Sequence, residues 1–283
     1  MCERGGVHGK DAFGASYWQD TAAERWIAQQ GVLDRSLAPF GAALLETAAA
    51  TPGETVIDVG CGAGTTTVAL ARSVGPEGKV FGVDISARLV EHARLQAPPE
   101  LPITWVEADA ATWAPPVLAD LVCSRFGVMF FVDPLAAFRN LAHGLRRGGR
   151  LSAACWCSLE ENPWIEQCLR ALEGLVDDPW PNTTGPGPLS LARSEDLRML
   201  LVASGFGRIQ LQRVQAPVVF SYGDLDHAVE FAMHAGPASR CLVDAAPEVR
   251  SRARERYAAL LETHRSDAGI ALDGACWIVS ASV

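Results

Sequence analysis

The period of the apolar positions changes along the chain. Ala22, Trp26, Leu33 and Leu37 recur at roughly helical spacing, and Pro39-Phe40-Gly41 predicts a break before a second apolar helix that ends near Thr51-Pro52-Gly53. A β-branched run, Thr55–Val59, then stops at glycines, and a helical stretch follows from Thr65 to Val74. Lys79–Asp84 reads as a second strand, after which Ser86 is placed to cap a helix over Arg88–Gln96. Strands follow at Ile103–Val106 and Leu121–Ser124. Asp133-Pro134 opens a helix that ends at Gly148-Gly149, and Arg150–Trp156 is a fifth strand. Strand–helix alternation of this kind predicts an α/β fold, with parallel strands joined by right-handed crossovers into a doubly wound, Rossmann-like sheet.

After Trp156 the rhythm breaks. Residues 157–192 are rich in Pro, Gly and Asn and read as an insertion. Ser194 is placed to cap a helix running to Ser204, closed by Gly205, and Arg208–Val214 is a strand. Residues 223–266 read as two or three helices, and Ala275–Ser280 as a last strand. The organisation expected is an N-terminal helical cap (1–52), a core (53–214, with the insertion 157–192), a helical lid (215–268) and a final strand of the core sheet (269–283). No repeat or low-complexity tract interrupts it.

Composition narrows the function classes. Of 283 residues 49% are apolar and 20% charged, which excludes long-range disorder. A net charge of -9 argues against gripping nucleic acid or an anionic membrane, and no apolar run approaches the ~18 residues that span a bilayer. The N-terminal stretch MCERGGVHGKDAFG has no apolar segment behind its charges, so no secretory signal is expected. Eight cysteines are too sparse for a disulfide scaffold and are expected to stay reduced, in a soluble, cytoplasmic protein.

The most informative segment is Val56-Ile57-Asp58-Val59-Gly60-Cys61-Gly62-Ala63-Gly64, which follows a strand and opens a helix, where an open α/β sheet binds ligands. A dinucleotide fingerprint needs G-x-G-x-x-G; here the third glycine comes one residue early and Thr65 takes its place. Asp58 also sets a carboxylate before the loop, which suits a cationic ligand better than a pyrophosphate, so a dehydrogenase is a distant rival.

The segment resembles the first motif of class I S-adenosylmethionine (SAM)-dependent methyltransferases. Asp84 at the end of the second strand, Ala108-Asp109-Ala110 after the third and Leu145-Arg146-Arg147-Gly148-Gly149-Arg150-Leu151 before the fifth match the family in order, over roughly residues 53–214. The phrase Ser124-Arg125-Phe126-Gly127-Val128-Met129-Phe130-Phe131 is similar to bacterial small-molecule enzymes related to quinone C-methyltransferases. The resemblance implies seven strands with the last antiparallel. It also implies SAM as cofactor, with S-adenosylhomocysteine (SAH) as product, bound through Asp58, Gly60, Cys61, Gly62, Gly64, Asp84, Ile85, Asp109, Ala110 and Ser124. Within the family, Asp84 would take the ribose hydroxyls and Asp109 would meet the adenine amino group.

Methyl transfer from a sulfonium is an in-line displacement with a neutral leaving group, so alignment and water exclusion are the main requirements. A general base is needed only where the nucleophile must lose a proton. The Asn/Asp-Pro-Pro-aromatic motif of amine methylation on nucleic acids is absent after the fourth strand, and no metal set is expected. A small, largely apolar or aromatic acceptor is expected instead. Candidates for its pocket are Tyr17, Trp18 and Trp26 in the N-terminal helices, Phe126 and Phe130 after strand four, and Trp156, Asn162 and Trp164 after strand five. Core or lid packing is the competing reading for each. Arg125, a charge at an apolar strand end, is either a cleft-facing group or a salt bridge holding the cap. His227 and His234, seven apart in the lid, are candidate bases or solvated surface groups. Cys155 and Cys157 read as buried thiols, and Arg250, Arg252, Arg254 and Arg256 as a solvated helix face. The rival functions are a SAM-binding protein of the same fold that does not methylate (cyclase-type) and a protein methyltransferase. A homodimer is compatible with the apolar caps.

Overall fold

The β-branched runs pair in parallel at the centre of the fold. The structure, a computed structural model, describes residues 15–19, 21–180, 185–236 and 238–283. The segment read for an export signal, His8 and residues 181–184 of the 157–192 insertion lie outside the described residues. In chain order the elements are α1 (Ala15–Gln19), α2 (Thr21–Ala28), α3 (Gln30–Ala48), β1 (Thr55–Val59), α4 (Thr65–Val74), β2 (Lys79–Asp84), α5 (Ala87–Gln96), β3 (Ile103–Glu107), β4 (Ala119–Arg125), α6 (Pro134–His143), β5 (Leu145–Trp156), α7 (Pro163–Arg170), α8 (Ser194–Ala203), β6 (Gly207–Ser221), α9 (Leu225–His234), α10 (Pro247–Glu262), β7 (Arg265–Ser266) and β8 (Gly269–Ser282), with short 3-10 turns at Val128–Phe130, Leu159–Glu161 and Ser239–Leu242.

The sheet order is β3-β2-β1-β4-β5-β8-β6, and β8 runs antiparallel to both β5 and β6. The seven expected strands are therefore present, and the two-residue β7 adds an eighth off that path by pairing with β8. The chain reverses direction across the sheet between β1 and β4, which are parallel neighbours, and such a switch point leaves a crevice at the strand ends. Ser86 and Asp133 cap α5 and α6 as their positions predict, accepting from Leu89 N and Ala136 N.

Several boundaries differ from the sequence expectation. Pro39 does not break the N-terminal helix: α3 runs through it, because the buried stripe Leu33, Leu37, Phe40, Leu44 and Ala48 continues in phase on both sides. Burial of that stripe outweighs the one backbone bond a proline removes. The break falls at Gln29 instead. Ser194 is the first residue of α8 rather than its cap, which is Arg193 with no side-chain bond. The 157–192 stretch, read as an insertion, holds α7.

β6 continues well past Val214 to Ser221, so its last seven residues occupy the start of the stretch read as lid. Pro217 is accommodated because β6 is an edge strand, where a missing N–H costs no ladder bond on the open side. β8 likewise begins at Gly269. Pairing of β5 with β8 stops at Trp156 opposite Cys276, while β6 and β8 remain paired out to Ser221 opposite Ile270. The projecting two-stranded arm carries α9 and α10 out past the strand ends.

Candidate functional site

Close approach of two loops defines the floor of the site. Gly60 has φ +65°, and a Cβ there would stand 2.8 Å from the Cα of Gly127, so only a glycine lets the β1 loop meet the exit of β4. Ser124 clasps the same junction: its hydroxyl donates to Val59 O (2.7 Å) and accepts from Val128 N (3.2 Å). Phe126 adopts φ +67°, a strained value for a side chain of its size, and lies flat on Trp156 with centroids 4.1 Å apart.

A cavity of ≈ 570 Å³ opens between these strand ends and the helices above them, within the usual range for small-molecule sites. From the sheet it is lined by Gly60, Gly62, Asp84, Ile85, Asp109 and Ala110, all predicted for the cofactor. From the cover it is lined by Tyr17, Trp18, Trp26, Phe126, Phe130, Trp156 and Trp164, all predicted for the acceptor, together with Arg125 and His234. Trp18 makes edge contacts with Trp26 (5.9 Å) and Phe130 (5.1 Å), which ties the N-terminal helices to the β4 exit.

Other predicted residues stand elsewhere. Asp58, Cys61 and Gly64 lie behind the loop: Asp58 is buried under it, Cys61 is buried beside it, and Gly64 packs against Trp105. Ser124 is the clasp just described and does not reach the cavity. Asn162 is fully buried and committed to backbone and indole: its amide donates to Cys157 O, Ser158 O and Ala275 O, and its carbonyl accepts from Ala275 N and Trp164 Nε1. With both ends of the amide spent, Asn162 positions Trp164 rather than contacting a ligand. His227 is exposed and pairs with Asp224, away from the cavity, whereas His234 lines it with Glu230 at 3.1 Å. Seven residues apart, they do not share a role.

Arg125 is both of the things it was expected to be. It borders the cavity, and its guanidinium donates to Asp34 Oδ1 of α3 at 2.9 Å. Asp34 also accepts from Thr65 at the start of α4 (2.6 Å), so one carboxylate joins cover, β4 exit and cofactor loop. Sequence reasoning missed Arg25 on α2 and Arg240 on the 3-10 turn Ser239–Leu242, which also line the cavity. Only Arg25 had a local signal, its place beside Trp26.

The electrostatics suit a cationic ligand on the sheet side. Asp84 Oδ2 accepts from Gly62 N (2.8 Å) and Oδ1 from Ser86 N (2.9 Å). Burial pushes its carboxyl up, and those backbone bonds oppose the shift. Asp58 accepts from Thr67 (2.6 Å) through one oxygen, while the other is buried with no partner among the described residues. Burial raises it to about 7. The thiols of Cys155 and Cys157 are pushed up to about 12 by burial and are protonated. Among the described residues no cluster has a metal ligand set, and no helix is long and apolar enough to cross a membrane.

The Methyltransferase domain family matches residues 56–149, which spans β1 to the start of β5. The family of protein-L-isoaspartate(D-aspartate) O-methyltransferases matches residues 9–100, ending before β3. Aklanonic acid methyltransferase DauC of Streptomyces sp. (strain C5) is 31% identical over 185 residues, 61% of this chain and 83% of that protein. Trans-aconitate 2-methyltransferase of Afipia carboxidovorans is 37% identical over 97 residues, so the match spans about a third of each (34% of this chain, 36% of that one). In fold, the chain is similar to magnesium protoporphyrin IX methyltransferase of Synechocystis PCC 6803 solved with bound SAH, at TM-score 0.55 and 17% identity over 95% of this chain and 98% of that one. The chain belongs to the class I SAM-dependent methyltransferases.

The residues fit that cofactor. A Cβ on Gly62 would project toward Trp26 Nε1, 3.7 Å away, so the loop backbone faces the gap between floor and cover. Asp84 borders that gap with both carboxyl oxygens held in place, and Asp109, its Oδ1 braced by Ala111 N at 2.9 Å, borders the next strand end.

Proposed function

We propose that the chain transfers the methyl group of SAM to a small, largely apolar or aromatic molecule, by in-line displacement and mainly through positioning and desolvation. The observation that carries this reading is the joint cavity: strand-end carboxylates and loop backbone on one wall face a predominantly aromatic wall on the other. When bound, the cofactor supplies an electrophilic methyl on a sulfonium. The chain's residues do the remainder. Asp84 and the Gly60–Gly62 backbone orient the cofactor end, and the flat pair Phe126 and Trp156, with Trp164 against it, offers planar apolar surface on the acceptor side. Trp18, Trp26 and Phe130 cover part of the cavity opposite the sheet. A dry, aligned site removes most of the entropic and solvent-reorganisation barrier to displacement. His234, bonded to Glu230, is the side chain placed to accept a proton where the acceptor must lose one.

The relatives are named for aklanonic acid and trans-aconitate, both small organic molecules. The isoaspartate family match ends at residue 100, before the exits of β4 and β5, which carry Phe126, Phe130 and Trp156. The test is transfer of labelled methyl from SAM into an extract, followed by separation by size. Label in a small, organic-extractable fraction supports the reading. Label in protein would replace it with the protein-methylating rival, and tight SAH binding with no label would replace it with the non-methylating one.

A further inference from the structure

α9 ends at the cavity, and its last turn carries a histidine backed by a carboxylate. Phe231, His234, Ala235 and Gly236 all line the cavity. The helix stops there, where Ala235 N and Gly236 N both donate to Phe231 O (2.8 Å each). His234 Nε2 lies 3.1 Å from Glu230 Oε2, one turn back on the same helix. Arg254 of α10 pairs with the other oxygen of Glu230, and that bond holds the Glu230 carboxyl below the usual carboxylate range. An ionised carboxylate can only accept, so it selects the Nε2–H tautomer of a neutral His234 and leaves Nδ1 as an acceptor. The other described histidines lack this combination. His92 and His264 bond to the side-chain amides of Gln30 and Gln167, and His227 pairs with Asp224 on the exposed side of α9. His143, like these three, does not line the cavity.

We infer that the acceptor attacks through a hydroxyl whose proton His234 Nδ1 takes, with Glu230 and Arg254 as positioning residues behind it. The inference rests on the methyltransferase reading and deepens it by naming the acceptor's reacting group. A carboxylate is already ionised at neutral pH and offers His234 no proton, and an amine attacks through a lone pair that is already free. A hydroxyl both hydrogen-bonds to an imidazole nitrogen and must lose its proton to become a strong nucleophile. In the step, the O–H bond breaks and its proton passes to Nδ1. The electron pair left on oxygen forms the bond to the methyl carbon, and the carbon–sulfur bond breaks with its pair left on sulfur. The imidazolium that forms stands beside the Glu230 carboxylate, which offsets its charge until the proton passes to water.

The test follows labelled methyl from SAM into the organic-extractable fraction of an extract and asks which bond holds it. Alkali releases the methyl of an ester, whereas hot hydriodic acid releases that of an ether and leaves methyl on carbon in place. The label should resist alkali and be released by hydriodic acid. Release by alkali would reveal a carboxylate acceptor and overturn the inference without any variant, as would label that survives both reagents. With the same fraction as acceptor, His234→Gln should lower the maximal rate about a hundredfold while the SAH dissociation constant stays within about twofold. A loss under about tenfold would overturn the inference even if the product is an ether. Glu230→Gln should lower the maximal rate about tenfold and leave the apparent KM, read from a dilution series of the fraction, within about twofold, because it acts through the base and not on the acceptor. A change in KM alone would overturn the positioning role. Failure of the underlying reading is separate: the wild type would then put no label into the small-molecule fraction.

Discussion

On the sheet side of the cavity the ligand-facing groups lie at the ends of consecutive strands and are set by backbone hydrogen bonds within about 25 residues of each other, as Asp84 is by Gly62 N and Ser86 N. On the cover side they come from the exits of β4 and β5, from α1, α2, α7, α9 and from a 3-10 turn, and are set by side-chain contacts across the chain: Trp18 on Phe130, Arg125 on Asp34, Trp156 on Phe40. The first wall follows from strand order and a glycine spacing. The second exists only after the chain has packed. It follows that the two walls should fail differently when perturbed, the cover through stability and acceptor binding, the floor through cofactor binding.

The largest effect is expected at the hub of the cover. Trp156 is 4% exposed, stacks on Phe126, meets Phe40 edge-on (5.1 Å) and packs at a tilt against Trp164 (5.0 Å). Trp156→Ala should cost about 3–5 kcal/mol in denaturant unfolding. A loss under about 1 kcal/mol would show the aromatic wall to be loosely packed and the comparison misplaced.

Asp58 comes next, and its effect depends on pH. Its carboxyl, ordinarily near 3.8, is raised to about 7 by burial, with Thr67 and Arg125 opposing the shift and Asp84 adding to it. The folded chain therefore holds this proton over a range where the unfolded chain has released it. Stability present below pH ~4 is lost as pH rises to about 7. Asp58→Asn mimics the protonated acid, so its stability relative to wild type should be flat below pH ~4, grow by on the order of a few kcal/mol up to pH ~7, and level off. A pH-independent difference would show that the buried carboxylate is compensated in the folded state.

Asp84→Ala should weaken SAH binding by roughly tenfold or more, through loss of two charge-assisted acceptors at the cavity. Unchanged affinity in calorimetry would remove Asp84 from the cofactor wall.

This division explains what was legible in the sequence. The strand ends and the capping of α5 and α6 follow from local spacing, while the six lining positions from Gly60 to Ala110 are those that the resemblance to the methyltransferase family implied for the motifs at these strand ends. Asp58 and Ser124 belong to the same motifs yet face inward, since a residue one step along a strand points to the opposite side. Asn162 looked like a pocket residue beside Trp164, but a buried amide must satisfy both its ends, and the β8 backbone at Ala275 does so. Arg25 and Arg240 were illegible for a different reason: they are 215 positions apart in the numbering, and only the folded chain brings both to the cavity.

The smallest expected effect lies where the two walls meet. Asp34 bridges Arg125 at the β4 exit and Thr65 at the start of α4, and both members of the ion pair are largely covered (side chains 16% and 24% exposed). Asp34→Asn keeps the shape and one hydrogen-bond acceptor but removes the charge opposite a mostly buried guanidinium, which should cost about 1 kcal/mol of stability. Because Arg125 borders the cavity from the cover side of the loop, the SAH dissociation constant should change by less than twofold while the acceptor KM rises. A larger loss of SAH affinity than of acceptor affinity would mean that this carboxylate organises the floor through Thr65 more than it anchors the cover through Arg125, and the boundary between the two walls would move to α3.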